Sequence, residues 1–210
     1  MADPRNLFTN SINVFKLKHC IYSPIAIANN INNYPGSDFN SSLGPNRADP
    51  NLQKDYIIGN LHKLFNNCIN KILLRFKGQI GLSSVYRNRH LNALLGGVPN
   101  SQHIYGYAAD IVPTGDITTA DIFNYCVRYL PLYHQLIWEY PERGPYSQNS
   151  NQFSWIHISY IEGNNFRENS VSSFNKQIHE FYKDENTFTI GEYTHKIKTA
   201  DTNLISNLEL

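Results

Sequence analysis

The sequence predicts an α+β fold, a small, mainly antiparallel sheet flanked by helices. Two features lead to it: helical apolar spacing over residues 49–77 and 117–130, and four short β-rich runs at 79–86, 105–112, 134–140 and 153–160. A chain of 210 residues holds one ordinary domain plus an arm. Its 41% hydrophobic and 13% aromatic content excludes a disordered polymer. Lys+Arg 18 against Asp+Glu 17 leaves a net charge of +1, so no nucleic-acid partner is expected.

Residues 31–50, dense in Asn, Pro, Gly and Ser, read as an irregular loop. The first helix follows: Asp49 caps it, Pro50 suits the first turn, and Gly78 lies just past its end. Ile57, Leu61, Leu64, Cys68, Ile72 and Phe76 recur at steps of mostly three and four, which makes one buried stripe. The run QIGLSSVY at 79–86 reads as a strand, and RNRHLNALLGG after it as a short polar helix closed by Gly96 and Gly97. YGYAADIV at 105–112 is again strand-like. The helix at 117–130 takes Thr118 or Thr119 as cap and Pro131 as stop. The runs 134–140 and 153–160 are expected to pair antiparallel across the polar loop 141–152. Beyond Glu162 the expectation is a linker, a short helix at 173–183 with Phe174, Ile178 and Phe181 on one face, and a hairpin or extended arm over 187–210. Residues 1–162 thus read as one domain and 163–210 as a C-terminal extension.

Cys20, Cys68 and Cys126 form no CxxC pair and read as small buried hydrophobes rather than a disulfide framework or a zinc knuckle. No stretch approaches the roughly 18 apolar residues of a membrane helix, so no membrane insertion is expected. The start, MADPRNLFTNSINVFKLKHC, lacks an apolar secretory core, which points to synthesis in the cytoplasm without a signal peptide.

The chemistry concentrates in SQHIYGYAAD at 101–110 and WIHIS at 155–159. Strand alternation puts Ala108, Asp110 and Val112 on one face, with Gly106 letting the backbone pass close to whatever His103 holds. His157 shares a face with Trp155 and Ser159, while Ile156 and Ile158 point to the core. Two imidazole nitrogens and one carboxylate oxygen are the ligand set of a catalytic zinc site with a fourth position for water. The competing reading is a histidine bonded to a loop carbonyl and an aspartate capping a turn.

The words SSVYRNRHLNALLGGVPNSQHIYGYAAD and WIHIS resemble the zinc D-Ala-D-Ala carboxypeptidases of the M15 family, with its Hedgehog/VanX-like fold, and more narrowly its short bacteriophage branch. The pattern S-x-H-x-x-G-x-A-x-D is met at Ser101, His103, Gly106, Ala108 and Asp110, and the similarity runs from about Phe15 through Tyr160. The resemblance implies that His103, Asp110 and His157 bind Zn2+. It implies that Arg87 grips a substrate carboxylate, a task for a planar two-pronged guanidinium, against the alternative of a surface salt bridge. It gives Ser101 a hydrogen bond to the substrate, or else a turn to cap, and makes Trp155 a pocket wall or plain core. Several members carry an acid three residues before the last histidine, where this chain has Ser154. Glu139, which ends the word HQLIWE, is therefore expected as general base, with His134 and Glu142 as competitors and a structural glutamate as the alternative.

The activity implied is zinc-assisted hydrolysis of a peptidoglycan stem peptide by a phage lysin or virion-associated enzyme, acting at the bacterial wall or packaged in a virion. The other reading is a virion structural or cargo protein that keeps the fold without turnover, its extension after Tyr160 serving as an assembly arm toward other virion proteins.

Overall fold

The structure is a computed structural model that describes residues 16–38, 49–140, 143 and 153–165, together with the backbone of strands at 168–172, 178–180, 187–190 and 193–196. Two short helices come first, α1 (Leu17–Cys20) and α2 (Pro24–Ala28), with the Ser23 hydroxyl accepting from the Ala26 amide to cap the second. Residues 31–38 are non-helical, as expected of that loop; the rest of it, 39–48, lies outside the described residues.

The long helix forms where its stripe predicts but is not one uniform spiral. It runs as α3 (Pro50–Leu64), a π-turn (Phe65–Ile69) and α4 (Asn70–Arg75). Asp49 caps it by accepting from the Asn51 amide at 2.7 Å. The reason for the wide turn lies in the spacing. Leu64 and Phe65, Cys68 and Ile69, and Ile72 and Leu73 are buried pairs exactly four residues apart, and a strict step of four overshoots a 3.6-residue turn by about 40° each time. A π-turn absorbs that drift and keeps all three pairs on the core.

Strand β1 (Ile80–Ser84) leads to α5 (Arg89–Leu94), a 3-10 turn (Gln102–Tyr105), β2 (Ala108–Pro113) and α6 (Thr119–Tyr129). Thr118 is the cap of α6, in a reciprocal box with Asp121. Strands β3 (Gln135–Glu139) and β4 (Trp155–Ser159) pair antiparallel as expected, and β4 also pairs antiparallel with β2. The six-stranded sheet has the order β1-β2-β4-β3-β5-β6, and the fold is α+β. One face of the sheet, with Ile80, Leu82, Ala109, Ile111, Leu136, Trp138, Ile156 and Ile158, shares a single buried cluster with α3, α4 and α6. The opposite face carries Asp110, Ile137, Glu139, Trp155 and His157.

Two expectations change. The strand read at 105–112 begins only at Ala108, because the chain first closes the 3-10 turn and reverses through Gly106 at φ +71°. The helix read at 173–183 is not formed at 178–180: β5 (Glu168–Ser172) lies parallel to β3, and β6 (Ile178–Glu180) pairs antiparallel with β5. The free edge of β3 offers a row of backbone donors and acceptors, and pairing them outweighs a weak helical pattern. The remainder of that run lies outside the described residues. β7 (Thr187–Ile190) and β8 (Tyr193–Lys196) form the antiparallel pair expected over 187–210.

Gly106 joins the turn carrying His103 to the strand carrying Asp110, and it lies against α3. A Cβ there would stand 2.7 Å from the Ile57 carbonyl oxygen and 3.1 Å from Leu61 Cγ. Gly96 has a similar φ of +70° but open space around it. Gly106→Ala is therefore expected to cost at least about 2 kcal/mol, and Gly96→Ala clearly less, as read from denaturant unfolding. Equal losses would show that α3 yields without resistance.

Candidate metal centre

Three side chains from three elements meet on the face of the sheet opposite the main core: His103 on the 3-10 turn, Asp110 on β2 and His157 on β4. Asp110 and His157 are direct partners in the strand register, so their side chains stand together on one face. His103 reaches them because its turn stacks over the start of β2. The two imidazole rings are 5.1 Å apart between centroids. His103 Nε2 lies 3.2 Å and His157 Nδ1 3.0 Å from the same atom, Asp110 Oδ1.

The Val85 carbonyl settles where the proton of His103 sits. Its oxygen is 2.6 Å from His103 Nδ1, so Nδ1–H donates there and Nε2 keeps a lone pair. His157 has an acceptor at each ring nitrogen, Asp110 Oδ1 at 3.0 Å from Nδ1 and Gln102 Oε1 at 3.2 Å from Nε2, and Nδ1 can ligate in the tautomer whose Nε2–H donates to Gln102. His103 Nε2 and His157 Nδ1 thus converge on one carboxylate oxygen, and His103 Nε2, fully enclosed, has no hydrogen-bond partner. That arrangement suits a cation. Nitrogen and oxygen ligands about 2.0–2.2 Å from a tetrahedral zinc stand roughly 3.3 Å from one another, close to the separations found. Among the described residues these three form the group able to hold a metal ion, their ligand atoms all within 4.8 Å of one another.

Electrostatics agree with the geometry. Burial disfavours the imidazolium of His103 and brings its pKa from 6.5 down to about 4, although Asp110 pulls the other way. Burial alone would raise the Asp110 carboxyl; His103, His157 and Arg87 around it outweigh burial and hold it well below the usual carboxylate range. Both shifts favour the forms that ligate a metal, a neutral imidazole and an ionised carboxylate.

Arg87 follows β1 and donates from Nη2 to Asp110 Oδ2 at 3.1 Å, with its side chain 15% exposed. It is therefore no surface salt bridge. Its Nε–H is buried without a partner. Beside it opens a cleft of about 530 Å³, walled by Tyr22, Ile25, Leu95, Phe153 and Trp155, with Arg87 and Asp110 also on its lining. Trp155, expected as a pocket wall or plain core, lies on that lining. Ser101 is not among the lining residues; its carbonyl closes the turn that carries His103 by accepting from the Ile104 amide at 3.1 Å.

Glu139 is half-buried on the same face as His157, directly opposite Trp155 in the register of β3 and β4. It is not among the residues that line the cleft. Of its competitors, His134 has Nδ1 2.7 Å from the Asn164 carbonyl oxygen, and Glu142 lies outside the described residues. Ser154 is a buried pin between the two strands: its Oγ accepts from Trp138 Nε1 at 2.7 Å and donates to the Glu139 carbonyl at 3.0 Å. Sequence reasoning missed Gln102 and the Val85 carbonyl. The only available signal for Gln102 was its position beside His103, and nothing in residue type marks a backbone carbonyl.

A buried group of two histidines and one carboxylate, with an arginine at the mouth of a cleft, is an arrangement able to hold a metal ion. Residues 52–132 match the family model described as Peptidase M15, which supports membership of that family. The matched residues include Arg87, Ser101, His103 and Asp110, and end before Glu139 and His157. No curated protein matches the chain.

The lowered pKa of His103 predicts how the metal-stripped protein responds to acid. The folded state binds fewer protons than the unfolded chain between pH 6.5 and about 4, so the stabilisation is complete above 6.5 and is lost as pH falls through that window. Asp110, its carboxyl held well below the usual range, extends the loss below pH 3.8. Unfolding free energy is expected to drop by about 3 kcal/mol from pH 7 to 4, with a shallower slope in His103→Asn. A profile that stays flat through the window would contradict a buried neutral His103.

Proposed function

We propose that the protein is a zinc-dependent peptidase that hydrolyses peptide bonds in the stem peptides of bacterial peptidoglycan, as a phage lysin or virion-associated wall hydrolase. The observation that carries the reading is the convergence of His103 Nε2 and His157 Nδ1 on Asp110 Oδ1, at 3.2 and 3.0 Å. The Peptidase M15 match and the cleft beside Arg87 support it.

His103, Asp110 and His157 would hold the ion. Zinc bound there supplies Lewis acidity, polarising a carbonyl and lowering the pKa of a bound water to about 7. The chain's own residues do the rest. The Val85 carbonyl keeps the His103 imidazole in the ligating tautomer, and Gln102 accepts from His157 Nε2–H when Nδ1 ligates. Arg87 turns its remaining N–H donors to a substrate carboxylate and orients the peptide, while Phe153 and Trp155 shield it from water. Glu139 is the general base, taking a proton from water and returning it to the leaving amine.

The full-length protein is expected to hold one equivalent of zinc by elemental analysis and to release peptides from purified peptidoglycan. His157→Ala should lose both zinc and turnover; Glu139→Gln should keep zinc and lose at least about 100-fold in kcat. Zinc without turnover on any stem peptide would favour a structural protein with a retained fold, and protein that takes up no zinc would overturn the ligand set.

A further inference from the structure

Arg87 stands on a stretch that no regular element holds. β1 ends at Ser84 and α5 begins at Arg89, so residues 85–88 have neither a strand ladder nor helical bonds, and their buried backbone groups need other partners. Two are provided by one side chain 33 residues into the sequence. Asn33, only 6% exposed, donates from Nδ2 to the Tyr86 carbonyl at 3.0 Å and accepts at Oδ1 from the Asn88 amide at 2.8 Å. Its second donor goes to the Ile21 carbonyl at 2.9 Å, just before the residues that wall the cleft. The two peptide bonds that flank Arg87 are thus both fixed by one amide. The N–H of Arg87 itself donates to the His103 carbonyl, at 3.3 Å.

We infer that Asn33 is the positioning residue for Arg87: through the peptide bonds on either side, it sets the guanidinium against Asp110 and at the cleft, ready for a substrate carboxylate. The chemistry requires an amide. An aspartate would set an acceptor against two carbonyls, and an apolar residue would strand three buried backbone groups. Asn88 continues the device, capping α5 through Oδ1 to the Leu91 amide and donating to the Asn32 carbonyl. The segment around Asn33 precedes the residues matched to the family model, so this control of Arg87 comes from outside the matched part. The inference rests on the reading of Arg87 as the group that binds substrate.

The test uses the full-length, zinc-loaded protein with Asn33→Ser, Arg87→Ala and the double variant. Substrates are stem peptides with a free C-terminal carboxylate and the same peptides as C-terminal amides. Asn33→Ser should raise KM for the free acids about tenfold with kcat within about twofold, change the amides little, and add nothing in the Arg87→Ala background. An unchanged KM, an equal loss on the amides, or full additivity with Arg87→Ala would each overturn it. If wild-type protein cleaves none of these peptides, the proposed function fails by itself. The positioning role is then read from the Arg87 Nε–H signal in NMR spectra, assigned by its loss in Arg87→Lys. That signal should be slow to exchange in wild type and exchange-broadened in Asn33→Ser, and a signal that stays sharp would overturn the inference. Asn33→Asp, which keeps the acceptor for Asn88, serves in both measurements if the serine variant does not fold.

Discussion

One buried carboxylate organises the site. Asp110 gives one oxygen to His103 and His157 together and the other to Arg87, at a position almost closed to water. Removing a charge from solvent is costly unless several opposite or donating groups surround it, and those groups here come from separate parts of the fold. The 3-10 turn, the end of β1, β2 and β4 must all be in place before Asp110 can stay ionised. The demand for a compensating charge therefore ties the candidate metal centre to the assembly of the sheet.

The supports around that carboxylate are mostly backbone. A carbonyl at Val85 fixes the His103 tautomer, and the His103 carbonyl in turn accepts from the Arg87 amide. Residues 85–88 are thus bonded to the ligand turn on one side and to Asn33 on the other. Across the sheet, Ser154 fastens Trp138 and the Glu139 backbone between β3 and β4. Placing a functional residue on an irregular stretch requires such outside bonds, because neither helix nor strand supplies them.

Much of the architecture was legible along the chain. The stripe from Ile57 to Phe76 marked the long helix because its packing partner is a single continuous core, and Thr118 with Asp121 marked α6 through local capping chemistry. His103, Asp110 and His157 could be singled out through the resemblance of the words SQHIYGYAAD and WIHIS to the M15 pattern, since histidine and aspartate at that spacing do not by themselves mark a metal site. The π-turn, the late start of β2 and the parallel pairing of β5 with β3 were not legible. Each answers a demand from elsewhere in the fold: four-residue packing steps against the core, the fit of Gly106 on α3, and the open edge of β3.

The sequence by itself determined which side chains could form a metal centre and which segments could become helix or strand, since periodicity, capping and ligand type are local properties. Only the tertiary structure decided that Asp110 is shared by two imidazoles and an arginine, that Gln102 orients one ring, that Ser101 closes a turn rather than lining the cleft, and that Asn33 holds Arg87. Those outcomes depend on strand register and on hydrogen bonds between residues up to 55 apart in the chain. Such bonds join atoms whose meeting no local pattern records.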